Sequence, residues 1–390
     1  MHRTFQSTIY RNCYKVIFMK KKMRIIILLS LFLFLLGTNI GINNIVADEG
    51  NISLKTSNTR PKVVCYMSIT EDWTRELLQN VEADIHVLVS GEEDVHSYDP
   101  SSEANLAMDN ADLFVRLNIP IEAYAADIVA AFPSVPTVKL WVNVTDDPVN
   151  GYSPRKDDVW KFTAPFNMHM WTSPSIAKKF VNRLAQGLKS NIGTTSLINN
   201  TIDANLLSYQ TRLNNTIDWL DEIKKNTAYT SLKLVPFHPA FIYYLEDDLN
   251  LTRVAVIEQQ PGVDPPVSHL ADLYAALNDS CTIIWHPQEH ISQKWAQDVS
   301  VETGANITML TPLLPISTPA EWVYKFGAEI NTFLEMVEFN TYQLINSSPY
   351  MAPGEGGEIP GFEIFIIFIV ASIISVVYII RRRKSISNAK

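Results

Sequence analysis

Between Thr201 and Asn226 the chain runs for about 25 residues without a proline or a glycine, and this stretch limits the fold more than any other. Its apolar positions, Leu206, Leu207, Leu213, Ile217, Leu220 and Ile223, recur at helical spacing and predict an amphipathic helix about 38 Å long. A helix of that length in mid-chain is a rigid strut, so the rest of the chain must fold on either side of it.

Both flanks show the same rhythm. Ahead of the strut, strands are expected at Pro61–Ser68, Ile85–Ser90, Ala111–Leu117 and Thr137–Asn143. Helices are expected at Thr70–Asn80, up to Asp109 behind a cap at Ser101 or Ser102, at Ile121–Phe132 and at Ser175–Leu188. Behind the strut come strands at Leu232–Val235, Val254–Ile257, Cys281–Trp285 and Asn306–Leu310. Their helices are Phe241–Leu249, Ser268–Asn278, Ser292–Thr303 and a closing one from Ala320 to Ile345. Strands that alternate with helices form parallel sheets with right-handed crossovers. The fold class is therefore α/β, with two Rossmann-like lobes of parallel sheet flanked by helices, bridged by the long helix, and a ligand cleft between the lobes. The lobes are expected at 61–190 and 229–346, with the linking helix within 191–228.

The two ends carry addresses. Met19-Lys-Lys-Lys-Met-Arg24 followed by the apolar run Ile25–Leu36 is a secretory signal pattern, which makes 1–47 a signal peptide with an N-terminal extension and 48–60 a linker. At the other end a Gly/Pro spacer, 347–360, leads into an uncharged apolar run from Ile364 to Ile380 and the basic stop Arg381–Lys384. Segment 361–384 thus reads as a single transmembrane anchor with a cytoplasmic stop. Pro360-Gly361-Phe362 before that run resembles the sorting signals of archaeal surface proteins. Eight Asn-X-Ser/Thr sequons, among them Asn51, Asn143 and Asn306, suit an outward-facing and glycosylated body.

Charge narrows the partners. The formal charge is −9, and setting aside the seven Lys/Arg of the first 24 residues and the five of the last ten takes it to −21. Phosphate backbones require a basic face, so nucleic acid is excluded. An acidic exterior attracts cations instead. Cys65 and Cys281 each border a strand-like apolar run and are expected as buried core thiols.

Three histidines stand at or just past expected strand ends: His96 in Val95-His96-Ser97-Tyr98-Asp99-Pro100, His169 in Met168-His169-Met170-Trp171, and His238 in Phe237-His238-Pro239-Ala240-Phe241. Two belong to the first lobe and one to the second, as ligands of a cleft site would. Three neutral imidazoles and a fourth donor make a tetrahedral zinc site. The helix-borne His-Glu-X-X-His signature of metalloproteases is absent from the sequence.

From about Lys62 to Leu344 the chain resembles the zinc/manganese solute-binding proteins of ABC importers. The likeness rests on His96-Ser-Tyr-Asp-Pro100, Ala111-Asp-Leu-Phe-Val115, Met168-His-Met-Trp-Thr-Ser-Pro174, Phe237-His-Pro-Ala-Phe241 and Glu302-Thr-Gly-Ala305, in that order. The resemblance implies two α/β lobes bridged by one long helix, with His96, His169 and His238 as metal ligands. It also implies no enzymatic activity, an ABC-type metal permease in the membrane as partner, and a monomer at the cell surface. A carboxylate common in the family before Pro-Leu is replaced here by Thr311. That departure favours zinc over the alternative, manganese, which prefers oxygen ligands. The fourth position is left to water, to Asp94 or Glu93, or to His286 in Trp285-His286-Pro287-Gln288. Two rival functions remain: a protein of the same fold that has lost tight metal binding and serves in adhesion, and a zinc hydrolase whose base would be Asp94, Glu93 or Glu289.

Overall fold

The computed structural model describes residues 60–91, 93, 95–96, 98–159, 166–225, 231–259, 262–288, 290–317 and 329–347. The signal segment, the spacer and the apolar run 364–380 lie outside them. Among the described residues no helix is long and apolar enough to cross a membrane. All of them belong to one compact unit, Thr59–Lys390.

The first sheet comprises β1 (Lys62–Met67), β2 (Asp84–Val89), β3 (Leu113–Arg116) and β4 (Thr137–Lys139), in the order β2-β1-β3-β4 and parallel throughout. The second comprises β5 (Lys233–Pro236), β6 (Thr252–Arg253), β7 (Cys281–Trp285) and β8 (Asn306–Met309), in the order β6-β5-β7-β8, again parallel. Each sheet thus reverses its winding beside its first strand. In open α/β sheets such switch points open a crevice at the carboxyl ends of the strands.

Helices cover the sheets as the rhythm requires. They are α1 (Ser68–Leu77), α2 (Ser102–Asp109), α3 (Ala125–Ala131) and α4 (Pro174–Asn191) on the first half, and α6 (Val267–Ala276) and α7 (His290–Thr303) on the second. Their starts follow capping chemistry: Ser101 accepts from Ala104 N and Ser173 from Ile176 N, each at 3.2 Å, with Pro174 opening α4. Cys65 and Cys281 are buried free thiols, as expected.

The long helix, α5, spans Ser196–Lys224, 29 residues or about 44 Å. It begins five residues before the expected Thr201 because Thr195 accepts a hydrogen bond from Ile198 N. Its buried seam also differs from expectation. Ile202, Tyr209, Leu213 and Leu220 face inward, whereas Leu207 is 67% exposed. The seam steps by seven and four residues, which is a narrower stripe than the one expected. Arg212, pairing with Glu76 of α1, and Asn205, donating to Leu77 O and Gln79 O, bind the helix to the first half.

Three other elements depart from expectation. The strand expected at Val254–Ile257 ends at Arg253, yet the chain continues beside β5, with Ile257 N donating to Pro236 O and Glu258 N to Phe237 O. The helix expected at Phe241–Leu249 is a π-helical turn, Tyr243–Asp248. The closing helix, α8, occupies Phe333–Asn346 rather than starting at Ala320. Ahead of it β10 (Glu329–Ile330) pairs antiparallel with β9 (Ile316–Ser317), and a reciprocal capping box of Thr332 and Glu335 fixes its first turn.

Trp73 of α1 lies fully buried against Phe180 of α4 and Phe333 of α8, with ring centroids 6.2 and 5.4 Å away. It joins helices from both ends of the described chain. Trp73→Ala should cost about 3–5 kcal/mol through lost burial and the cavity left behind. A denaturation midpoint unchanged from wild type would refute that role.

Candidate metal centre

The loop after β2 carries His96 to the cleft, and it needs Gly91 to get there. A Cβ on Gly91 would stand 2.0 Å from Leu314 C and O, so only glycine lets this loop lie against the segment after β8. Gly91 O accepts from Gln288 Nε2 at 3.1 Å, and Leu314 N donates to Ser68 Oγ at 3.1 Å. These contacts join the carboxyl ends of the two sheets directly.

His238 and His286 arrive by register. Pro236 of β5 pairs with Ile284 of β7, and each histidine sits two residues further along. Their rings consequently lie side by side, with centroids 5.7 Å apart. His169 comes from the first half, immediately before the 3-10 turn Met170–Thr172. Thr172 fixes that turn by donating to His169 O and Ala240 O, and Trp171 does so by donating to Pro312 O at 2.8 Å.

Within the cleft, His238 Nε2 stands 3.2 Å from His96 Nε2 and 3.1 Å from His169 Nε2. The donor atoms of all three histidines lie within 4.8 Å of one another, and His169 and His238 are each only 2% exposed. The tautomers follow from the opposite edges of the rings. His238 Nδ1 faces the buried carboxylate of Glu258, which can only accept, so Nδ1 carries the proton. Asn167 Nδ2 donates to Pro239 O and to Asp157 Oδ2, both at 3.0 Å, which turns Asn167 Oδ1 toward His169. That oxygen accepts from His169 N and from His169 Nδ1, each at 3.0 Å. The two Nε2 atoms thereby face each other across 3.1 Å, a spacing that suits two nitrogens bound to one cation. A tetrahedral ion with metal–nitrogen bonds of about 2.0–2.1 Å would set such nitrogens about 3.3 Å apart.

Burial holds His96, His169 and His286 neutral, as ligands must be. Burial, reinforced by His238, pushes His96 down to about 3. Burial, then His238 and His96, holds His169 well below the ordinary imidazole range, and burial and His238 do the same for His286.

The remaining candidates fall elsewhere. His286 is 3% exposed and lines the same cleft, but it stands outside the group of three. Glu93 is exposed, and its carboxylate accepts from Ser90 N in its own loop. Asp94 and Glu289 lie outside the described residues. Thr311 Oγ1 accepts from Gln288 Nε2 at 3.0 Å and donates to Leu313 O at 2.8 Å, so its hydroxyl serves its own loop. Asn167, Asp157 and Glu258 escaped the sequence reading. Asn167, two residues before His169, offered the one local hint.

The sequence profile of the family described as zinc-uptake complex component A, periplasmic, matches residues 63–347. The zinc-binding lipoprotein AdcA of Streptococcus pneumoniae (strain ATCC BAA-255 / R6) is 24% identical over 239 residues, 59% of this chain and 46% of that protein. The chain thus spans about half the length of this relative. The high-affinity zinc uptake system protein ZnuA of Bacillus subtilis (strain 168) is 22% identical over 284 residues, 70% of this chain and 86% of that one. Among solved structures, a crystal structure of ZnuA aligns with a TM-score of 0.56 at 20% identity, over 73% of this chain and 99% of that one. A manganese-bound periplasmic metal-binding protein from Candidatus Liberibacter asiaticus aligns with a TM-score of 0.58 at 17% identity, over 74% of this chain and 99% of that one. At these identities the structural likeness concerns the fold. With the profile covering the whole two-sheet body, the chain belongs to the family of periplasmic zinc-uptake complex component A.

Proposed function

We propose that the chain is an extracytoplasmic solute-binding protein that captures a divalent metal ion, zinc, in the cleft and passes it to an ABC-type permease. The observation that carries the reading is the convergence of the three rings, with His238 Nε2 3.1 Å from His169 Nε2 and 3.2 Å from His96 Nε2 and an Nδ1 partner on the far edge of the His238 and His169 rings. His96, His169 and His238 hold the ion, and the fourth position is taken by water or by His286. The names of the zinc-binding relatives support the same cargo. A nitrogen-rich set favours zinc over manganese, which prefers carboxylate oxygen.

The reading includes no catalysis. Glu258 meets the site from behind: its Oε2 faces His238 Nδ1 and its Oε1 accepts from Gly262 N at 2.7 Å. It is therefore engaged in orienting a ligand rather than in activating water. We further propose that 361–384 anchors the protein to the membrane, so that the cleft faces outward at the cell surface and glycans occupy some of the sequons.

Elemental analysis after chelator stripping and reloading tests the cargo. One zinc per chain is expected, with manganese held more weakly. Absence of stoichiometric metal under any loading condition would overturn the reading in favour of a protein that has lost the site.

A further inference from the structure

Behind His169 lies a buried polar chain that crosses from one half of the molecule to the other. Arg253 leaves β6 with its side chain 1% exposed and grips Asp157 with both terminal nitrogens, Nη1 to Oδ2 at 3.0 Å and Nη2 to Oδ1 at 2.9 Å. Its Nε donates to Glu246 Oε1 at 2.6 Å. Asp157 Oδ2 also accepts one proton of Asn167 Nδ2, and Pro239 O, next in sequence to His238, accepts from the same nitrogen. Tyr243 donates to Asn167 O at 2.7 Å and steadies the backbone at that point.

Each link removes an alternative from the next. Asp157 can only accept, so the Asn167 amide nitrogen must face it and the amide oxygen must face His169. A neutral imidazole whose Nδ1 meets that oxygen keeps its proton there and leaves Nε2 bare in the cleft. Two of the partners, Arg253 and Pro239, belong to the second half, while Asp157, Asn167 and His169 belong to the first. A buried ion pair stabilises little in net terms, because desolvation offsets its attraction; here its bidentate geometry holds the Asp157 carboxylate in one orientation.

We propose that Arg253, Asp157 and Asn167 form a positioning relay that sets the tautomer of His169, and through it the metal affinity of the site. This rests on the metal-capture reading above. The His238 and His169 rings are then unequal. His238 is backed by a carboxylate, which raises its basicity, whereas His169 is backed by a neutral amide whose orientation depends on residues across the cleft. Partners behind metal-bound imidazoles commonly govern affinity in this way.

The test combines zinc titration with nitrogen-15 NMR of the His169 ring in the full chain. In the metal-free wild type the ring should carry its proton on Nδ1. Asn167→Ala should mix the two tautomers and weaken zinc binding by about ten- to a hundredfold, with the circular dichroism of the folded protein retained. Asn167→Asp alone should lose affinity similarly, because two carboxylates would face each other. The exchange Asn167→Asp with Asp157→Asn should recover at least tenfold of that loss, on the order of the relay's own contribution, since an amide and a carboxylate again meet. An Nε2-protonated His169 in the metal-free wild type would overturn the relay, even if the alanine variant failed to fold. Unchanged affinity and ring signals in Asn167→Ala would overturn it equally. A wild type that binds no zinc but shows the Nδ1 tautomer would count against the cargo and leave the relay standing.

Discussion

Zinc at a thousandfold excess over its dissociation constant should stabilise the metal-free protein by about 4 kcal/mol, which for a body of this size is a rise in Tm of roughly 7 °C. His96→Ala should remove most of that gain while leaving the metal-free Tm nearly unchanged, because the His96 ring is the least buried of the three and its removal leaves no buried charge behind. His238→Ala should also abolish the gain, but it would lower the metal-free Tm as well. It strips the partner from Glu258, which is 0% exposed, and breaking a buried pair costs about 3–5 kcal/mol. The contrast between the two variants separates ligand loss from damage to the fold. Thermal scans with and without zinc decide the matter. A full zinc shift in His96→Ala would remove that histidine from the site.

The second large effect involves a carboxyl that is not among the metal ligands. Asp72 of α1 is 8% exposed and accepts from Phe333 N, the first residue of α8, at 3.0 Å. Burial raises it to about 7; the Phe333 hydrogen bond acts in the opposite sense and only partly offsets this. A carboxyl whose folded value lies above its unfolded one keeps its proton longer in the folded state. Its contribution is fully present below the unfolded value of 3.8 and is lost as pH rises through about 7. At pH 8 the ionised Asp72 should therefore cost the wild type on the order of 3–4 kcal/mol. Asp72→Asn retains an acceptor for Phe333 N without the charge. It should match the wild type near pH 4 and exceed it in stability at pH 8, as read from urea midpoints. Parallel pH profiles for the two proteins would refute the assignment.

Much of the architecture was legible along the chain because its causes are local. Every strand of the two sheets except β6 overlaps an expected apolar run, and Ser101 and Ser173 mark helix starts through hydrogen bonds spanning three residues. Where expectation missed, the deciding contact was less obvious or lay farther away. The closing helix waits for the Thr332–Glu335 box because Ile330 first pairs with Ile316, fourteen positions back. Leu207 faces solvent because the inward seam of the long helix is set by what α1 and α4 present to it, and hydrophobicity alone does not register that.

At the centre the division runs between identity and orientation. His96 and His238 stood out in sequence because each follows a strand-like run, and strand ends collect at one edge of a parallel sheet; His169, 30 residues past β4, stood out by its motif. The placement of His286 beside His238 required the pairing of Pro236 with Ile284, a register between segments 48 residues apart. The protons on the rings required still more: Glu258 lies 20 residues from His238, and Arg253 reaches Asp157 across 96 positions. Residue type and local spacing determine which groups are able to bind a metal, because those properties belong to short stretches of chain. Which nitrogen each imidazole offers was decided by tertiary structure alone, because a tautomer is set by whatever acceptor the fold brings to the other edge of the ring.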